Sequence, residues 1–174
     1  MSPAFSIAVI TVLANLLIMG GEAILSSFNE RQLRARGAIE PERDVISVMR
    51  WAYPGAFVAM AIEGVVRDQP AGMVAVVGAV VLIAAKAIKF WAIASLGPRW
   101  TYRVLVVPGV PLVATGPYRL MRHPNYVGVV GEIIAMAMLS RAPVTGILAL
   151  IGFGWLLIRR IAAEERALGL RPSA

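Results

Sequence analysis

Apolar residues along this chain come in long runs separated by short charged stretches, with no alternation of the kind a half-buried strand shows. The runs cover residues 4–27, 48–66 and 71–96, and two shorter ones cover 125–139 and 143–158. A helix needs about 20 apolar residues to cross the hydrocarbon of a bilayer, with a range of roughly 17–25. The first three runs meet that length. The last two flank Ser140-Arg141-Ala142-Pro143, which reads as a turn. They predict a short helical hairpin, tilted little or locally thinning the bilayer. The expected fold is therefore all-α and integral to the membrane, with five transmembrane helices. No internal repeat or low-complexity tract interrupts the pattern. A cleaved secretory signal competes for the first run. No Lys or Arg precedes Arg31, however, and about 24 apolar residues exceed an h-region of roughly 7–15, so a retained span is expected.

Composition agrees. The 174 residues are 59% hydrophobic, with mean hydropathy +0.74, against roughly 45–50% apolar residues in soluble domains. Cysteine is absent, which excludes disulfides and thiolate chemistry. The single histidine, His123, excludes a metal site built on several histidines, and the acids show no zinc-like spacing, so no metal is expected. The net charge of +7 does not point to nucleic acid, because the basic residues sit at the ends of the apolar runs. Arg31, Arg34, Arg36 and Arg43 lie in the first connection. Arg99, Arg103, Arg119 and Arg122 lie in the third, and Arg159, Arg160, Arg166 and Arg171 in the tail. The other connections carry only Arg67 and Arg141. Arginine-rich connections face the cytoplasm. Five spans then place the N-terminus outside and the C-terminus inside, in what is expected to be a bacterial inner membrane. The polar stretch 28–44 predicts a short interfacial helix broken at Gly37, or else a solvated linker.

The third connection stands out. Residues 97–125 hold Pro98, Pro108, Pro111, Pro117 and Pro124, with Gly97, Gly109 and Gly116. Prolines at this density forbid a continuous helix. A long irregular segment that is not low in complexity usually carries function. Its arginines and aromatics, Trp100, Tyr102, Tyr118 and the adjoining Tyr126, suit a ligand with both anionic and cationic parts.

Two motifs here resemble a known family. Gly116-Pro117-Tyr118-Arg119 followed by Arg122-His123-Pro124-Asn125-Tyr126-Val127-Gly128 resembles the signature of the isoprenylcysteine carboxyl methyltransferases, whose relatives include phospholipid N-methyltransferases. Arg160-Ile161-Ala162-Ala163-Glu164-Glu165-Arg166-Ala167-Leu168 resembles that family's C-terminal arginine and paired glutamates. Asn29-Glu30-Arg31 and Arg36-Gly37-Ala38-Ile39-Glu40 resemble, more weakly, small bacterial members that O-methylate phenolic or pyrone lipids. Many relatives continue past the glutamate pair with an aromatic-rich stretch; here only residues 169–174 follow.

The resemblance implies S-adenosylmethionine as cofactor and a lipophilic acceptor. It implies cofactor roles for Tyr118, Arg122, His123, Tyr126, Glu164 and Glu165, with Gly116 admitting a close backbone approach. It divides the single domain into a membrane scaffold, residues 1–96, and a cofactor-binding and catalytic half, residues 97–174. An arginine fork pairs with a carboxylate, a glutamate with an ammonium or a ribose diol, and an aromatic face with a sulfonium. Arg160 is the candidate to orient or ionise the acceptor, and Glu165 or His123 to act as base. The bland readings are a helix-capping His123 and an i,i+4 surface pair of Arg160 with Glu164. Glu132 shares a helix face with Asn125 and Gly128; an acid at that depth is a functional candidate by default, here for the cofactor, or else a bond between helices. Glu22 and Glu63 are expected as solvated span ends, Lys86 and Lys89 as snorkelling cations, and Trp51, Trp91 and Trp155 as interface or packing residues. Ala75 and Gly78 suit helix packing within one chain or between two, compatible with a monomer or a weak homodimer. The competing functions are phosphatidylethanolamine N-methylation, a non-catalytic membrane protein, and an NADPH-dependent membrane reductase.

Overall fold

A computed structural model describes residues 3–41, 44–70 and 72–170, with side chains from residue 8 onward. Glu42, Arg43, Ala71 and residues 171–174, Arg171 among them, which figured in the sequence reading, lie outside the described residues. Five α-helices account for most of it: α1 (Pro3–Ala35), α2 (Ile46–Arg67), α3 (Gly72–Leu96), α4 (Pro124–Leu139) and α5 (Pro143–Ala167). No strand occurs among the described residues, only an isolated bridge between Ile39 and Val106. Three segments, Ala8–Ala35, Gly72–Arg99 and Pro143–Ala167, are long and apolar enough to cross a membrane. The helix Pro124–Leu139 is apolar but shorter.

The helices meet along small residues. The closest pair is α3 with α4. There, a Cβ on Gly128 would stand 2.9 Å from the Lys89 Cβ, and one on Gly131 would stand 2.8 Å from the Ala85 Cβ. Gly78 lies equally close to Met138, so this small residue packs helices within the chain. Missing side chains let the backbones approach, which drives helix association where no hydrophobic effect operates between helices. Phe57, Met60, Ile133 and Met136 are fully buried at the centre, joined by Tyr53, Phe153 and Leu156. Leu17, Val66, Ile83, Ile151 and Ile158 point outward, as a lipid-facing surface requires. Trp51, Trp91 and Trp155 also face outward.

The chain departs from the sequence pattern at charged positions. No separate interfacial helix forms after residue 27: α1 runs unbroken to Ala35 and ends before Gly37, whose φ of 80° suits glycine. Its last turns form a seat. Asn29 donates to the Trp100 carbonyl at 2.8 Å, and the Ser26 hydroxyl accepts from the Tyr102 amide at 2.8 Å. The proline-rich connection is thereby docked on α1. The stretch after Gly37 pairs with the same connection, through Ile39 N to Val106 O at 2.8 Å. Glu22 is not solvated but buried. Glu63 accepts from the amides of Val144 and Thr145, at 3.2 and 2.7 Å, and so caps α5. Lys86 and Lys89 do not snorkel. Acids stand at their own depth, so pairing there replaces reaching for water: Lys86 Nζ lies 3.0 Å from Glu132, and Lys89 Nζ lies 2.7 Å from Glu22 and 3.3 Å from Glu132.

Candidate active site

The proline-rich connection, the start of α4 and the end of α5 enclose a cavity of about 430 Å³. Its polar wall includes Arg103, Tyr118, Arg122, His123, Tyr126, Arg160 and Glu164, and its apolar wall includes Val104, Leu105, Leu112 and Leu168. Two local causes assemble it. Pro124 opens α4, where its missing amide costs nothing, and so fixes the first turn that presents Tyr126. The α5 helix continues past its apolar part to Ala167, carrying Arg160 and Glu164 to the same level.

Tyr126 is the hub. Its hydroxyl donates to Glu164 at 2.7 Å and accepts from Arg160 Nε at 3.2 Å. Arg160 and Glu164 thus meet on this hydroxyl rather than forming a surface pair. Arg160 is 4% exposed. Its two terminal nitrogens donate to the Asp44 carboxylate and to the Tyr102 carbonyl. His123 occupies the N-cap position of α4, yet its side chain makes no capping bond. It stacks on Tyr126 at 5.6 Å, and its Nε2 lies 3.2 Å from Glu165. Burial, and then the charge of Glu164, push the Tyr118 phenol above its usual range, so it stays a hydrogen-bond donor.

The expected residues thus converge, with three exceptions. Glu165 is buried behind His123 and within 3.9 Å of Arg122, not on the cavity wall. Gly116, at φ 58°, approaches α3 rather than the cavity: a Cβ there would stand 2.1 Å from the Ser95 hydroxyl. Glu132 is fully buried among Lys86, Lys89 and Tyr53 and does not line the cavity. Sequence reasoning missed Asp44 as the partner of Arg160. An acid directly before an apolar span, in an arginine-rich connection, was the available signal.

The sequence model of the isoprenylcysteine carboxyl methyltransferase (ICMT) family matches residues 76–169. The chain belongs to this family. The match spans most of α3, the connection, α4 and all of α5, and so contains the hub and most of the cavity wall. Family membership indicates a membrane methyltransferase of helical build. The chain is similar to the uncharacterized protein YpbQ of Bacillus subtilis (strain 168), at 36% identity over 84% of this chain and 88% of that protein. It is also similar to an uncharacterized protein of Haemophilus influenzae, at 26% identity over 83% of this chain and 84% of that protein. No solved structure matches it at a significant level.

Proposed function

We propose that this ICMT-family chain uses S-adenosylmethionine to methylate an oxygen of a lipophilic acceptor in the membrane, a carboxylate or a phenolic or pyrone lipid. The observation that carries this reading is the meeting of Arg160, Tyr126, Glu164 and His123 on one wall of a half-apolar cavity. The donor set fits the cofactor. Arg122, 75% exposed at its side chain, is available to a carboxylate. Glu164 can receive an ammonium or a diol, and the ring faces of His123, Tyr126 and Tyr118 suit a sulfonium. Val104, Leu105 and Leu112 offer an apolar slot for adenine. When bound, S-adenosylmethionine supplies an electrophilic methyl group.

The protein's share is positioning and proton handling. Arg160 orients an anionic acceptor or stabilises a phenolate. A phenol, with pKa about 10, needs a base. His123 faces the cavity, and its Nε2 lies against Glu165. His123 therefore takes the proton, and Glu165 orients the ring and stabilises the cation formed. A carboxylate acceptor needs no base. The reading includes five spans with the N-terminus outside, so that the cavity opens to the cytoplasm and the acceptor arrives from the bilayer.

Calorimetry of S-adenosylhomocysteine with detergent-purified protein tests the cofactor. We expect micromolar binding that weakens about tenfold in Tyr126→Phe, which removes a hydroxyl shared by two charged groups. Folded wild-type protein that does not bind it would overturn the reading. Radiolabelled methyl transfer to N-acetyl-S-farnesylcysteine or to nonylphenol then identifies the acceptor class. A rate that rises through neutral pH marks the phenol, and a flat profile the carboxylate.

A further inference from the structure

Inside the membrane-facing part of the bundle, two lysines and two glutamates are buried together. Glu22, Lys86, Lys89 and Glu132 are each at most 9% exposed. They come from α1, α3 and α4, and Tyr53 of α2 completes the group by donating to Glu132 at 2.7 Å. Their formal charges cancel. Taking ions out of water costs several kcal/mol each, and apolar residues of similar volume pack at least as stably. Charge in such a place is a candidate for function.

The connections indicate the task. Lys89 bridges Glu132 on α4 to Glu22 on α1. Glu22 accepts from the Tyr102 hydroxyl at 3.0 Å. Tyr102 is held at three further points, by the Ser26 hydroxyl on its amide, by the Met19 carbonyl on its hydroxyl at 3.3 Å and by Trp100 edge-on at 5.3 Å. Its carbonyl then accepts from Arg160. Arg160 is thus suspended between Tyr126, which rides on α4, Tyr102, which rides on α1, and Asp44, which stands just before α2. The offset between those helices sets where the guanidinium stands. An apolar contact between α1 and α4 can slide, whereas a bridged Glu–Lys–Glu chain in low dielectric selects one register.

We propose that the buried Glu22–Lys89–Glu132 chain, acting through Tyr102, positions Arg160 at the active site. Glu22 and Tyr102 are positioning residues, since neither lines the cavity. The proposal rests on the reading of Arg160 as the group that faces the acceptor, but its test does not need an acceptor. The protein has four tyrosines, so fluorotyrosine labelling gives four fluorine resonances, assigned by single Tyr→Phe changes. Tyr126 reports on Arg160 through their shared bond. Glu22→Gln and Tyr102→Phe should each move the Tyr126 resonance by more than its linewidth. Leu139→Ala, a core change at the other end of α4 from Tyr126, should lower Tm and leave that resonance in place. The double variant should shift it no further than either single one, because both cut the same link. In a methylation assay with N-acetyl-S-farnesylcysteine or nonylphenol, both variants should lower kcat/KM for the acceptor about tenfold or more, with S-adenosylhomocysteine affinity unchanged within about twofold. A Tyr126 resonance unmoved in both variants, or moved equally by Leu139→Ala, overturns the proposal. Wild-type protein that fails to bind S-adenosylhomocysteine sinks the methyltransferase reading instead, and the fluorine result then decides the positioning role alone.

Discussion

Arg103, Arg34 and Glu40 show how single residues fasten the connection. Glu40 receives Arg34 and Arg103, both at 2.5 Å, and Arg103 also reaches Glu30 at 3.5 Å. Burial raises the Glu40 carboxyl, but the bonds from the two arginines outweigh it and hold it below its ordinary 4.5. A depressed acid stabilises the fold above its unfolded pKa and loses that contribution as pH falls through the folded value. The Tm difference between the wild type and Glu40→Gln should therefore be full above pH 4.5 and shrink as the pH falls from there through the lowered value of the folded carboxyl, as scanning fluorimetry across that range would show. A difference that persists in acid would contradict the assignment. The motif residues at this scale were legible in the sequence, because Tyr126, His123, Arg160 and Glu164 sit at recognisable spacings. Asp44, Glu22 and Tyr102 were not, because their roles depend on partners 58 to 116 positions away.

The helices themselves were legible wherever an apolar run met a breaker. The turn at residues 140–143 and the start of α4 at Pro124 follow the pattern. The extension of α1 to Ala35 escaped it, since hydropathy ends a span where charge begins, whereas a helix continues as long as its backbone bonds are met. Packing at this scale rests on glycines that differ sharply in surroundings. A Cβ on Gly64 would stand 2.0 Å from the Ser140 carbonyl oxygen, and nothing lies within 4 Å of one on Gly152. Gly64→Ala should cost about 1–3 kcal/mol by forcing α2 from the α4–α5 turn. Gly152→Ala should be neutral or stabilising by up to about 1 kcal/mol. Unfolding in a graded detergent series, with both variants side by side, checks the contrast; equal effects would mean that the turn adjusts freely.

For the molecule as a whole, the proposed five-span arrangement predicts which loops are reachable from which side. The protein has no cysteine of its own, so single introduced thiols report cleanly. Gln69→Cys, between α2 and α3, should react in intact cells with a membrane-impermeant maleimide. Arg36→Cys should react only after permeabilisation. The reverse labelling would invert the topology and place the cavity outside. Whole-molecule architecture was only half visible in the sequence. Run lengths and arginine placement announced a membrane bundle, but nothing in them told that α1 carries the floor on which the connection rests.

That floor has a consequence for how such chains can vary. Asn29 and Ser26 hold Trp100 and Tyr102 across some seventy positions of sequence, so the first half of the chain is tooled to the second. Grafting residues 97–170 onto the leading helices of a relative would deliver His123, Tyr126, Arg160 and Glu164 and still misplace Arg160, unless the seat on α1 travelled with the graft. The two halves are interchangeable only as a matched pair.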